Sequence, residues 1–542
     1  MVKNMSKTLF YNAKVYVDRG VFAEAVYQED GIIEAVGTNE EVMAKAAADA
    51  EKIDCGGKTI IPGLNDSHCH AEYLGQLMML PDLSGVHDKD ELVDVLIQYL
   101  KDNPDVKSIF SQSFNQDLWT EGKKDFPTKE DLDRISTEIP IITSRSCGHI
   151  GIVNSVVLEK MGITGDTKIE GGKIFLDEKG EPTGILAEAA IMQAWNALPA
   201  LTKEDHKLRL VKAMEYGASH GVTTVQSNDP GTVLSDREMA FEMLDEVFAE
   251  GKAKTRYTAQ IGFLDPEELK EFIAGPRFCT SYCSDWLTMG PLKLLKDGSL
   301  GGHTAMRRVD YLDQPGNRGV ENVSKDLMYK LVEIADAAGM QVLTHCIGDG
   351  AIEQVADCYA SFMKEKGKNV NRHGIVHCQL TDTPLLEKLR DNDVLAFYQP
   401  VFMRTDMYGI EERIGKEMCY TSNAPKTMKE MGIHCSYGTD SPVEDLNPFV
   451  NIYCAVTRKD MAGKPEGGFY PDECVDVETA IDAYTVESAY GEFREDVKGR
   501  IKPGFYADLV VIDKDIFTCD PMEIKDILPE LTMVGGKIVY RK

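Results

Sequence analysis

The chain has 542 residues, is 43% hydrophobic and 27% charged, and carries a net charge of −30. That length exceeds what one hydrophobic core serves, so at least two domains are expected, one of them large enough for a barrel of roughly 250 residues with insertions. The acidic balance argues against nucleic acid or an anionic membrane as partner, and no apolar run reaches the roughly 18 to 20 residues of a transmembrane helix. The N-terminal segment reads as lacking a secretory signal, and 13 cysteines without paired spacing suggest free thiols in a reducing compartment, so a cytoplasmic protein is expected.

Residues 9–17, 23–36 (with the turn signal Asp30-Gly31) and 58–61 read as strands, too few to fold alone. Residues 507–513 and 531–540 supply matching strands. A small β-sandwich built from residues 1–60 and 491–542 is therefore expected around a (β/α)8 TIM-like barrel of residues 61–490.

The barrel opens on Pro62-Gly63-Leu64-Asn65-Asp66-Ser67-His68-Cys69-His70. Residues two apart in a strand share a face, so His68 and His70 can reach one ion. At this histidine content His-x-His arises by accident about 0.2 times, so the pair gains its weight from the Pro-Gly-Leu-x-Asp lead-in. Residues 81–201 do not fit a single βα step and read as an inserted lobe after the first barrel strand, suited to covering the site and selecting the substrate.

Beyond the lobe, strand and helix alternate. Thr202 caps a helix with Val211, Met214 and Ala218 on one face, and Gly221 closes it before the strand 222–225. Leu327, Leu331, Ile334 and Ala338 repeat the helical spacing before a strand that delivers His345, and Ile352, Val355 and Tyr359 do so before residues 373–377, which end in His377. Later strand candidates end near Gln399 and Asp440. Chemistry in such barrels sits at the C-terminal ends of strands, where His68, His70, Lys293, His345, His377 and Asp440 all fall. Any one of them alone is more often a satisfied core group; together they point to a metal site. Cys69, Cys346 and Cys378 each follow one of these histidines, and strand alternation turns them outward as packing groups.

The order and spacing of these segments resemble the amidohydrolase superfamily, specifically amidohydrolase family 3, the branch similar to N-substituted formamide deformylases. The resemblance spans essentially the whole chain. Besides the first-strand motif it is carried by Gly148-His149 with Asn154-Ser155, residues 182–188, Lys293-Leu294-Leu295-Lys296-Asp297-Gly298, Thr344-His345-Cys346-Ile347-Gly348-Asp349, Val376-His377-Cys378-Gln379, Gln399-Pro400, Gly438-Thr439-Asp440-Ser441-Pro442 and residues 499–509. One departure is Phe402, where many relatives carry His, so substrate contacts there are expected to differ.

The resemblance implies two divalent metal ions, one held by His68 and His70 and the other by His345 and His377. Lys293 would bridge them as a carbamate formed with carbon dioxide, and Asp440 would act as base and then acid. Nitrogen and oxygen ligands without thiolate fit zinc and leave manganese, iron and cobalt open. Lys296 is the internal competitor of Lys293, but three residues along a strand it faces the other way. His149 is a candidate contact to the substrate carbonyl; Trp119, Asn154 and Gln399 are candidate substrate-binding residues. The implied activity is hydrolysis of a small non-peptide carbon–nitrogen bond, with a linear N-substituted amide or formamide first. A mononuclear deaminase, a cyclic amide hydrolase and an inactive ligand-binding scaffold are the alternatives. The expected partner is a small-molecule substrate, and a homodimer is expected on prior frequency.

Overall fold

The computed structural model describes residues 6–145, 149–278, 284–363 and 367–542. Eight strands run parallel in one sheet: β1 (Leu64–Cys69), β2 (Val222–Ser227), β3 (Arg256–Gly262), β4 (Leu287–Leu295), β5 (Val342–Cys346), β6 (Gly374–His377), β7 (Leu395–Tyr398) and β8 (Cys435–Tyr437). Each neighbour in the sheet is the next in sequence, as βα repetition requires. Every residue of β2 and of β3 is buried, because a parallel sheet is covered on both faces.

The covering helices start where short polar side chains satisfy their first N–H groups. Asp236, Ser324 and Asp382 accept from the third residue into the helices Arg237–Ala249, Lys325–Ala337 and Thr383–Asp391. The helix Lys325–Ala337 buries Met328, Leu331, Val332 and Ala335, while Leu327 and Ile334 only flank that stripe. The buried face is thus turned by about one residue from the one its spacing suggests, since side chains lean toward the helix N-terminus.

The first and last strands meet just beyond β8. There Asp440 N–H donates to the His68 carbonyl (2.8 Å) and His70 N–H to the Ser441 carbonyl (2.7 Å). The Asp66 carboxylate accepts from the Thr439 backbone N–H, the Thr439 hydroxyl (2.7 Å) and the His68 N–H (3.1 Å). Gly438 makes this approach possible, because a Cβ there would stand 2.6 Å from the His68 nitrogen.

Two further sheets come from the chain ends. One holds Ile32–Gly37, Ala25–Glu29, Lys7–Tyr11 and Glu51–Asp54; the other is a six-stranded sheet in which Leu509–Ile512 lies between Thr59–Pro62 and Pro529–Val534. Phe10, Val26 and Ile33 from the first share a core with Ile60, Leu509, Val511 and Met533 from the second. A buried two-pronged ion pair, Arg256 to Asp508 at 2.8 and 2.9 Å, ties β3 to the six-stranded sheet.

Gln76–Arg209 forms a separate unit. Its five-stranded sheet runs in the order Gly172–Leu176, Pro182–Glu188, Ile150–Val153, Ile141–Arg145, Ile109–Phe114. It has its own cores, one of them around Leu92, Leu96, Ile109, Trp119 and Ile141. Among the described residues no helix is long and apolar enough to cross a membrane.

Replacing Gly438 by Ala is expected to lower stability by about 1–3 kcal/mol, the usual range for forcing a methyl into a packed contact. Urea unfolding at fixed pH checks this. A midpoint equal to that of the parent protein would show that the junction of β1 and β8 tolerates a side chain.

Candidate metal centre

Four histidines line up at the C-terminal ends of β1, β5 and β6. His68 lies within β1 and His70 directly follows it, their ring centroids 5.3 Å apart. His377 stands 5.7 Å from His68 and 4.3 Å from His345. Asp440 is carried in by the β1–β8 junction, and its Oδ1 lies 3.2 Å from His68 Nε2 and 3.3 Å from His70 Nε2. The ligand atoms of His68, His70 and Asp440 all fall within 4.8 Å of one another, close enough to share one ion. Lys293 rises from β4, 3% exposed, with no hydrogen-bond partner for its Nζ among the described residues. His377, Cys378 and Asp440 have φ of 74°, 49° and 57°, left-handed conformations that cost non-glycine residues energy and collect at functional sites.

Hydrogen bonds fix which nitrogen of each ring is bare. His68 Nδ1 lies 2.7 Å from Gln260 Oε1, His377 Nδ1 lies 2.7 Å from Gln399 Oε1, and His70 Nδ1 lies 3.1 Å from the Asn228 carbonyl. All three partners are acceptors, so a neutral ring carries its proton on Nδ1 and leaves Nε2 as a lone pair. His345 is the reverse: its Nε2 donates to the Gly298 carbonyl (3.2 Å), which frees Nδ1.

With both rings neutral, the bare nitrogens of His68 and His70 face the Asp440 carboxylate with no proton between. Asp440 Oδ1 makes no well-directed hydrogen bond despite those short separations. Lone pairs turned on one another across about 3 Å repel unless a cation lies among them. The donor set thus fits a metal ion on its own chemistry.

Electrostatics agree for His68 and His345; at His70, although burial pulls down, the Asp440 carboxylate raises the imidazole above its ordinary range. Burial, with Lys293 nearby, holds the His68 imidazole at about 4 and His345 at about 3, so both stay neutral and able to ligate well below pH 6.5. Burial also brings the Lys293 amine down to about 8, against an opposing pull from Asp440. Lys296, by contrast, is paired with Glu321 and donates to the Val323 carbonyl (2.8 Å). Asp297 accepts from the N–H groups of Met306 (2.8 Å), Ile347 (3.0 Å) and Gly348 (2.8 Å), which fixes the loops after β4 and β5 beside His345. Cys69, Cys346 and Cys378 belong to the apolar core, and burial raises each thiol, so none is a thiolate ligand.

The remaining candidates have other surroundings. Gln399 is fully buried and engaged with His377. His149 is exposed in the smaller unit and pairs with Glu188 (3.1 Å). Trp119 is packed into that unit's core beside Phe114, and Asn154 caps the helix Ser155–Met161 while donating to the Ser136 and Ile139 carbonyls. Phe402 stacks on His377 with centroids 5.6 Å apart, a contact the departure from His makes apolar. Gln260 was not singled out by sequence. The signal was a lone amide among apolar neighbours near the end of Arg256–Gly262.

A family model, described as amidohydrolase family, matches residues 51–540. Amidohydrolase YtcJ of Bacillus subtilis is 30% identical over 99% of this chain and 100% of its own length. The N-substituted formamide deformylase of Arthrobacter pascens is 25% identical over 98% of this chain and 97% of its own. Among solved structures, an uncharacterized metal-dependent hydrolase from Pyrococcus furiosus superposes with a TM-score of 0.78 at 26% identity, over 94% of this chain and all of that one. The chain belongs to the amidohydrolase family, whose members are metal-dependent hydrolases acting on carbon–nitrogen bonds.

Proposed function

We propose that the protein hydrolyses a linear N-substituted amide or formamide at a two-metal centre held by His68, His70, His345, His377 and Lys293, with Asp440 moving the proton. The observation that carries this reading is the convergence of bare imidazole nitrogens on Asp440 beside a buried, unpartnered lysine. The full-length likeness to a formamide deformylase supports the substrate class.

Bound divalent ions, zinc first given the nitrogen and oxygen donors, would polarise the carbonyl and bring the pKa of water toward about 7. A lysine held at about 8 has an accessible free amine, which can add carbon dioxide and lose a proton to give a carbamate. That converts a buried cation, which would oppose metal binding, into a two-oxygen anion that favours it. Asp440 accepts the proton of the attacking water and returns it to the amide nitrogen, so that acid and amine leave in balance. The apolar face of Phe402 on His377 supports an uncharged acyl side over a carboxylate-bearing one.

The compact His68, His70 and Asp440 cluster taken alone favours a one-ion deaminase. Metal content separates the two: one ion per active chain supports the deaminase, two the amide hydrolase. The same reading takes the sheets from both chain ends as one β-sandwich and residues 81–201 as an inserted lobe. It also takes the substrate as a small molecule and the protein as a cytoplasmic homodimer, the location resting on the scattered cysteines and the dimer on prior frequency.

Zinc added to metal-free protein is expected to raise the melting temperature, since a ligand that binds only the folded state stabilises it. Lys293→Ala is expected to lose most of that rise and Lys296→Ala to keep it. An unaltered zinc response in Lys293→Ala would remove the bridging lysine from the scheme. On a panel of formanilides and N-acyl amines, Asp440→Asn is expected to release amine at least about 100-fold more slowly than the parent, the scale of one lost acid–base group. Parent-like turnover in that variant, or none by the parent across the panel, counts against the proposal.

A further inference from the structure

We propose that Gln260 and Gln399 are positioning residues that select the imidazole tautomer of one ligand in each half of the centre, Gln260 for His68 and Gln399 for His377. The inference rests on the metal-hydrolase reading of the same residues. Both amides are completely buried, and each is held at two points. Gln260 Nε2 donates to the Ser67 carbonyl (3.0 Å) while its Oε1 meets His68 Nδ1; Gln399 Nε2 donates to the Phe397 carbonyl (3.1 Å) while its Oε1 meets His377 Nδ1.

Neither amide can turn over. Rotation by half a turn would set its oxygen against a backbone carbonyl, leaving two acceptors face to face in a dry interior. The oxygen is therefore locked toward the ring and the ring proton toward the oxygen, which leaves Nε2 as the lone pair, turned at His68 toward Asp440. His70 and His345 receive the same service from main-chain carbonyls, of Asn228 and Gly298. Each histidine pair thus has one lock built from backbone and one from a glutamine, and only the glutamines can be altered by substitution. A neutral acceptor suits the task because it orients the ring without adding charge to a centre that already holds a carboxylate.

The test uses the full chain, metal-free and labelled with 15N-histidine, and reads tautomers from long-range 1H–15N spectra. The parent is expected to show His68 and His377 protonated on Nδ1. Gln260→Leu is expected to release His68 into the other tautomer while His377 keeps its own, and Gln399→Leu to do the converse. Chelator competition is expected to show zinc bound 10- to 100-fold more weakly in each Leu variant, the usual penalty for losing a partner of a metal-bound histidine. Gln260→Glu and Gln399→Glu keep an acceptor oxygen toward the ring and, protonated on the other oxygen, still donate to the Ser67 or Phe397 carbonyl, so they are expected to preserve the Nδ1–H tautomer; they also carry the test should a Leu variant fail to fold. Folded Leu variants with parental tautomers and parental zinc affinity would overturn the inference, as would Glu variants that lose the Nδ1–H form. Parent protein with Nδ1–H rings and no zinc affinity would instead sink the hydrolase reading and leave the two glutamines with their assigned hydrogen bonds.

Discussion

The junction of β1 with the segment after β8 is the constraint on which the centre depends. Two backbone hydrogen bonds and the Asp66 carboxylate draw the chain past Gly438 against His68. Each bond contributes only about 0.5–1.5 kcal/mol net. Their placement matters more than their sum, because they join positions 373 apart, Asp66 and Thr439, and so bring Asp440 to His68 and His70. The contacts that bring the first and last strands together also set Asp440 beside His68 and His70. Asp66 bears the cost: burial lifts its carboxyl to about 7, against the pull of the donors from Thr439 and His68.

Unmet buried polar groups and left-handed backbone occur at several places in the chain, and this junction is one of them. Ser67 Oγ, Lys293 Nζ, Asp440 Oδ1 and Ser441 Oγ are buried without hydrogen-bond partners among the described residues. An unmet buried polar group costs about 1–3 kcal/mol, and left-handed φ at a non-glycine residue costs a similar amount. Such costs are sustained only where the rest of the fold over-determines the geometry, here an apolar barrel core that includes Leu292, Val342, Ile375 and Ala396.

Much of this was legible in the sequence. The histidines announce themselves because a polar residue closing an apolar run is costly unless used, and the strand positions of His68, His345, His377 and Lys293 follow from that pattern. Two aspects were not legible. The partnership of Gln260 with His68 and of Gln399 with His377 joins residues on different strands, and only barrel closure decides which side chain meets which ring. Asn154 misleads for the opposite reason: a conspicuous amide in a motif-bearing segment turns out to satisfy a helix start and two carbonyls. Local pattern says that a polar group is needed; tertiary geometry says for what.

The contrast between Lys293 and Lys296 shows how the two levels combine. Both sit in one short run after β4 begins, both are buried, and a motif alone could name either. Lys296 finds Glu321 and a carbonyl, and as a paired ammonium it is a structural tie between β4 and the segment before the helix Lys325–Ala337. Lys293 finds imidazoles already oriented as acceptors and a carboxylate facing them, with no donor or acceptor placed to satisfy its own Nζ. An ammonium there is poorly solvated, and burial brings the amine down to about 8. The difference in chemistry between two lysines three residues apart is thus a difference in place, Lys293 within β4 and Lys296 just past its end.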